Sequence, residues 1–244
     1  MAEVDPGLQV AGGHTGQHQL PLAVQLRDDA TLDNFLAAPA VQPLLGAMQQ
    51  QMEPGGETLI YLYGPTGSGK THLLQASCHA AGAGTLYLPL DDLRDYAADE
   101  VLQGVEALDL VCLDDIHRVL GDASWERALF NLYNRTRESN CKLLVAADAA
   151  PRALAVDLQD LRSRLSWGIV YQLAQADDEE KAAILQFRAS RRGLSLSAEV
   201  ANYIVCRAPR EMGQLLGLLD TLDKSSLAQQ RALSIPFVKM VLGW

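Results

Sequence analysis

Five short, nearly continuous apolar runs punctuate the chain: Thr58–Tyr63 (TLIYLY), Thr85–Leu88 (TLYL), Leu108–Leu113 (LDLVCL), Lys142–Ala147 (KLLVAA) and Gly168–Leu173 (GIVYQL). Runs of this length without polar alternation fit strands buried on both faces of a parallel sheet. Between them the apolar positions shift to helical spacing. Residues 39–54 place Val41, Leu44, Leu45 and Met48 on one face and end at Pro54-Gly55-Gly56. Leu73, Leu74 and Ser77 are in phase up to Gly82, and Trp125, Leu129, Leu132 and Tyr133 mark a further helix. Strands separated by helices imply right-handed crossovers, hence an α/β fold on a parallel five-stranded sheet with flanking helices. After residue 173 the pattern is helical throughout. Asp177–Arg192 opens with Asp177-Asp178-Glu179-Glu180 and closes on Arg191-Arg192-Gly193, charges that match a helix dipole and its C-terminal cap. Val200, Ile204 and Val205 define a second helix, and Met212, Leu215, Leu216, Leu219 and Leu222 a third. Residues 174–244 are therefore expected to form a small helical domain appended to the α/β domain of residues 28–173.

Of the 244 residues, 48% are hydrophobic and 20% charged, enough for a sizeable core. The formal net charge is −10. It divides unevenly: residues 1–176 carry 11 Lys/Arg against 22 Asp/Glu, and residues 177–244 carry 9 against 8. No face with this balance is a basic footprint for duplex DNA, so work at DNA would proceed through a partner. No apolar run is long enough to cross a bilayer and the first 25 residues have no secretory pattern, so the expected location is cytoplasmic. Residues 1–16, with glycine, proline and no periodicity, read as a disordered tail. Cys78, Cys112, Cys141 and Cys206 form no C-x-x-C pair and read as small buried hydrophobes; no zinc site is expected.

Gly64-Pro65-Thr66-Gly67-Ser68-Gly69-Lys70-Thr71 fits G-x-x-x-x-G-K-[ST] between a predicted strand and a predicted helix. The chemistry asks for each residue. Gly67 and Gly69 let backbone N–H groups turn toward phosphate oxygens, and the helix N-terminus adds partial positive charge. Lys70 reaches the β- and γ-phosphates, and the Thr71 hydroxyl is a Mg²⁺ ligand. Leu110-Val111-Cys112-Leu113-Asp114-Asp115 ends an apolar strand on two carboxylates. Asp114 would hold Mg²⁺ and Asp115 would orient or deprotonate an attacking water. The expected ligand is ATP or ADP with Mg²⁺.

Further segments narrow the choice among P-loop proteins. Thr31-Leu32-Asp33-Asn34-Phe35 precedes the P-loop, His72-Leu73-Leu74 follows it, and Asp114-Asp115-Ile116-His117 ends the third strand. Asp148 follows the fourth strand, then come Leu161-Arg162-Ser163-Arg164-Leu165-Ser166-Trp167-Gly168 and Pro209-Arg210-Glu211-Met212. In this order they resemble the AAA+ ATPases of the DnaA initiator clade. The chain stops at Trp244, where an initiator would continue into its DNA-binding domain, so it is similar to the regulatory members of that family. The resemblance implies an AAA+ P-loop NTPase domain with a helical lid. It also implies binding of ADP or ATP and of the DNA-loaded sliding clamp of the replicase. The implied output is stimulation of hydrolysis of DnaA-bound ATP in trans, which prevents re-initiation, rather than turnover of the chain's own nucleotide. Arg164 would be the arginine that reaches the partner's γ-phosphate, with Arg162 the second candidate; Asp148 and Arg210 would read the chain's own nucleotide. In the segment 17–27, Gln17, Leu20, Pro21 and Leu22 resemble the family's clamp-binding peptide, with His18 and Gln19 departing from it. AAA+ interfaces also favour a homo-oligomer. A helicase loader of the DnaC type and a stand-alone P-loop ATPase are the alternatives that these residues leave open.

Overall fold

The computed structural model describes residues 26–244; the proposed clamp peptide (Gln17, Leu20, Pro21, Leu22) and the tail before it lie outside the described residues. After a 3₁₀ turn at Leu32–Asn34 and another at Pro39–Val41, the elements run α1 Gln42–Gln51, β1 Leu59–Tyr63, α2 Lys70–Ala81, β2 Thr85–Pro89, α3 Leu90–Leu93 and α4 Ala98–Val101. Then come β3 Leu110–Asp114, α5 Ala123–Ser139, β4 Lys142–Ala147, α6 Gln159–Leu165 and β5 Ile169–Gln172. Four helices complete the chain: α7 Asp178–Arg191, α8 Ala198–Arg207, α9 Met212–Gln229 and α10 Ile235–Leu242.

The five strands form one sheet in the order β2-β3-β4-β1-β5, every pair parallel. All five predicted apolar runs are strands, within a residue or two at their ends. β1 shows why such runs carry no polar alternation. Leu59 and Tyr61 join a cluster with α5 and α6 on one face, while Ile60 and Leu62 join α1 and α2 on the other. Only the edge strand β5 alternates in exposure.

From α7 to α10 a separate apolar cluster is built on Leu185, Ile204, Leu215, Leu222 and Phe237. The acidic start of α7 is a capping box: Asp177 accepts from the Glu180 N–H at 2.8 Å and the Glu180 carboxylate accepts from the Asp177 N–H at 3.0 Å. Among the described residues, no helix is long and apolar enough to cross a membrane.

Three departures from the sequence pattern have local causes. α1 is shorter than its pattern, because Pro39 starts a 3₁₀ turn and the α-helix takes over only at Gln42. α3 and α4 are single turns, below the length at which periodicity speaks. The short α10 carries Pro236 in its first turn, where the missing N–H costs nothing, and Ser234 caps it. Cys206 is exposed, while Cys78, Cys112 and Cys141 are buried as expected.

Candidate functional site

The P-loop leaves the C-terminal end of β1, between β4 and the edge strand β5, and runs directly into α2. Its first glycine is required by crowding: a Cβ on Gly64 would lie 2.1 Å from the Leu173 carbonyl oxygen. Gly67 and Gly69 have φ of 80° and 95°, the left-handed region that turns successive N–H groups to one side. Lys70 is buried beneath this turn and donates to the carbonyl oxygens of Gly64 (2.7 Å) and Pro65 (3.0 Å). Burial lowers the affinity of its amine for a proton, and the carboxylates of Asp115, Asp114 and Asp148 pull it back up. The Ser68 hydroxyl is buried without a protein partner. Thr71 is exposed in the first turn of α2. Two left-handed glycines, an ammonium and an unpaired buried hydroxyl at a helix N-terminus fit an anionic polyphosphate.

The carboxylates end β3, beside β4. Asp114 is only 2% exposed, yet both its oxygens are engaged. One accepts from the Tyr87 hydroxyl at 2.8 Å and the other from the Asp115 N–H at 3.0 Å. Burial and the neighbouring carboxylate push the Tyr87 phenol up and away from ionisation. Asp115 takes a left-handed conformation (φ 52°), and burial followed by repulsion from Asp114 raises its pKa. His117 sits between two carboxylates: Nδ1 is 4.0 Å from Asp115 and Nε2 is 3.7 Å from Asp148. The structure thus brings Lys70, Asp114, Asp115 and Asp148 together. It adds Tyr87, which donates to Asp114 and carries no motif of its own, and it sets His117, the last residue of the Asp-Asp-Ile-His segment, within 4.0 Å of Asp115 and Asp148. The pairing of β2 with β3, which sets Pro89 opposite Asp114 and Tyr87 two residues before it, is what delivers the phenol. Among the described residues, no three His, Cys, Asp or Glu side chains gather as a self-sufficient metal site. A Mg²⁺ held by Thr71 and Asp114 would complete its shell with phosphate and water, as is usual for that ion.

The arginine box maps onto α6 and the turn after it. Leu161 and Leu165 are buried anchors. Arg162, the second candidate, turns inward and donates to the Val156 carbonyl. Arg164 is half-buried; its guanidinium carbon lies 4.1 Å from the centre of the Trp167 ring, 5.7 Å from Tyr133 and 6.0 Å from Phe130. The Trp167 N–H bonds the Arg164 carbonyl at 3.1 Å, folding the indole back over the arginine. A Cβ on Gly168 would meet the Leu59 carbonyl oxygen at 2.2 Å, so the box ends on glycine where the chain crosses β1. Glu126, in α5, fixes the other end of the box. Its buried carboxylate accepts from the N–H groups of Gly121 (2.9 Å), Asp157 (3.0 Å) and Leu158 (2.6 Å), the last being the cap of α6. Burial works against its charge, but the three N–H donors win and hold its pKa below the usual range.

Arg210 is exposed and precedes α9 by two residues. The start of α9 nevertheless abuts the P-loop: the Met212 N–H nitrogen lies 3.5 Å, and the Glu211 Cγ 3.9 Å, from the position of a Cβ on Gly67.

A P-loop after a strand one in from the sheet edge, an Asp-Asp end to the strand two places away and a helical bundle touching the loop define an AAA+ P-loop NTPase domain with its lid. Residues 26–172 match the bacterial DnaA ATPase domain family and residues 178–242 match the Hda lid domain family. The chain belongs to the DnaA ATPase family and carries a lid of the Hda type. An uncharacterised protein of Haemophilus influenzae is 43% identical over 229 residues, covering 92% of this chain and 98% of that protein. Domain III of the Thermotoga maritima replication initiation protein DnaA superposes with a TM-score of 0.74 at 22% identity, over 90% of this chain and 98% of its own. AMPPCP-bound DnaA from Aquifex aeolicus gives a TM-score of 0.67 at 24% identity, over 80% of this chain and 65% of that one. A Thermotoga maritima RuvB variant gives 0.66 at 17% identity, over 88% and 71%. At these identities the structural matches speak for the fold.

Proposed function

We propose that this chain is a regulatory inactivator of DnaA: it binds adenine nucleotide and the DNA-loaded sliding clamp, and it stimulates hydrolysis of the ATP bound to DnaA. The observation that carries this reading is the union of a DnaA-type ATPase domain with an Hda-type lid in one chain. Residues 28–173 would act as the nucleotide-binding unit and 174–244 as the lid. Lys70 and the N–H groups of residues 64–69 would hold the phosphates, with Thr71 and Asp114 on Mg²⁺, whose charge offsets theirs. Asp115 would hold a water by its raised-pKa carboxyl, Asp148 would sense the nucleotide with His117 behind it, and Arg210 would reach in from the lid. The segment 17–27 would dock on the clamp through Leu20, Pro21 and Leu22, with the Gln17 amide at its edge.

Arg164 is the residue assigned to the partner's reaction. Among the described residues it makes no ion pair, so its N–H donors are available to an anion. An arginine placed on a γ-phosphate stabilises charge that grows in the transition state, an effect of about 10³-fold or more. The test is turnover of ATP by DnaA with and without this protein, in the presence of clamp loaded on DNA. Wild type should accelerate DnaA, and Arg164→Ala should abolish at least 90% of the gain. Unchanged DnaA turnover together with brisk hydrolysis by this chain alone would reject the assignment in favour of a stand-alone ATPase.

A further inference from the structure

Arg164 is held by rings rather than by a carboxylate, and that choice has a chemical consequence. A carboxylate partner would occupy guanidinium N–H donors and cancel the charge. A ring face attracts the cation through its quadrupole and leaves the donors at the edge of the plane free. Here the guanidinium carbon sits 4.1 Å from the Trp167 ring centre, within stacking distance, with Tyr133 at 5.7 Å and Phe130 at 6.0 Å. Three independent elements of local structure build this arrangement. Phe130 and Tyr133 are presented by α5; the turn bonded from the Trp167 N–H to the Arg164 carbonyl returns the indole; and Gly168 lets the chain pass tight against β1. Trp167 is 58% exposed, and a second cation, Arg137, lies over its ring at 5.8 Å. So large an apolar side chain left this open is explained poorly by core packing. It is explained well by a ring whose function is to hold a cation at the surface.

We infer that Phe130, Tyr133 and above all Trp167 form an aromatic clamp that pre-sets the Arg164 guanidinium for an anion on a partner molecule. The inference rests on the reading of Arg164 given above. Trp167 is then a positioning residue: it would alter the rate at which the docked partner reacts, not the strength of docking. The guanidinium plane is fixed before contact, so less rotamer freedom is lost when the transition state forms.

The experiment compares wild type, Arg164→Ala, Trp167→Leu and Trp167→Phe as activators of DnaA ATP hydrolysis with loaded clamp. Each is titrated to give the maximal rate and the half-saturating concentration. Leucine keeps apolar bulk but has no ring face; phenylalanine restores one. Trp167→Leu should lower the maximal rate about tenfold. The half-saturating concentration should stay within about threefold, and Trp167→Phe should recover most of the rate. The melting temperature should move by no more than about 2 °C, since Trp167 is largely exposed. A full maximal rate for Trp167→Leu, or a loss confined to the half-saturating concentration, would overturn the clamp. The latter would make Trp167 a docking contact instead. An Arg164→Ala protein that stimulates like wild type would reject the reading of Arg164 and the clamp with it. Loss in Arg164→Ala with full activity in Trp167→Leu would reject the clamp alone.

Discussion

Lys70 sits in a hollow of loop carbonyls, its ammonium satisfied by Gly64 and Pro65 and drawn upon by three carboxylates. Phosphate would replace the two carbonyls with charge-assisted partners, which is a net gain only if the ammonium is present. Lys70→Ala should therefore weaken ADP binding by about 100-fold, readable from the fluorescence of a labelled ADP, while the free protein loses a few degrees of melting temperature because the Gly64 and Pro65 carbonyls lose their donor. Gly64→Ala should act through crowding instead. Its Cβ would collide with the Leu173 carbonyl, which follows β5, so the loop and the sheet end must both shift. That variant should lose several degrees of melting temperature as well as ADP binding, and retention of both would contradict the crowding argument.

At the scale of elements, α5 and α6 behave as a unit. Glu126 near the start of α5 accepts three backbone N–H bonds, two of them from the residues that lead into α6. Removing the carboxylate leaves three donors in a buried place. Glu126→Ala should cost about 3 kcal/mol, some 8 °C of melting temperature. It should also loosen α6, so stimulation of DnaA would fall although Arg164 is intact. The sign with pH follows from the depressed folded pKa. The contribution of Glu126 is present above the ordinary carboxylate pKa of 4.5 and disappears as pH drops through the lower folded value. The stability gap between wild type and Glu126→Gln should accordingly narrow in acid.

Across the whole molecule, the segment before α1 links lid and P-loop. The His72 and His79 Nε2 atoms bond the carbonyls of Thr31 (2.8 Å) and Arg27 (3.0 Å), and Gln75 accepts from the Arg27 N–H, so α2 grips this segment. From the lid, Arg188 of α7 pairs with Asp29 and donates to the Asn34 carbonyl at 3.1 Å. Its side chain is only 4% exposed. Asp29→Ala would leave that cation buried without its partner, and a loss of about 3 kcal/mol is expected; Arg188→Met should cost less. Burial alone would raise the Asp29 pKa, yet Arg27 and Arg188 hold it below 3.8. Its stabilisation is therefore complete above that value and fades as pH falls through the folded pKa. Melting curves of wild type and Asp29→Asn should draw together as pH falls through the lowered folded pKa. Equal losses in Asp29→Ala and Arg188→Met would argue against a buried unpaired charge as the cause.

By itself the sequence determined whatever depends on neighbours along the chain. Apolar runs such as Leu59–Tyr63 announced strands buried on both faces, the glycines around Lys70 announced a phosphate loop, and Asp177 with Glu180 announced the start of a helix. Each signal is a local rule of sterics, periodicity or capping, so residues a few positions apart suffice to read it. Tertiary structure alone decided what depends on distance across the fold. Tyr87 reaches Asp114 over 27 positions, Glu126 reaches Leu158 over 32, and Arg188 reaches Asp29 over 159. Arg164 could be picked out of its box, but that rings from α5 hold it was invisible until the two helices packed together. These contacts form only when register and packing bring remote side chains within a few ångströms, and no local pattern encodes that encounter.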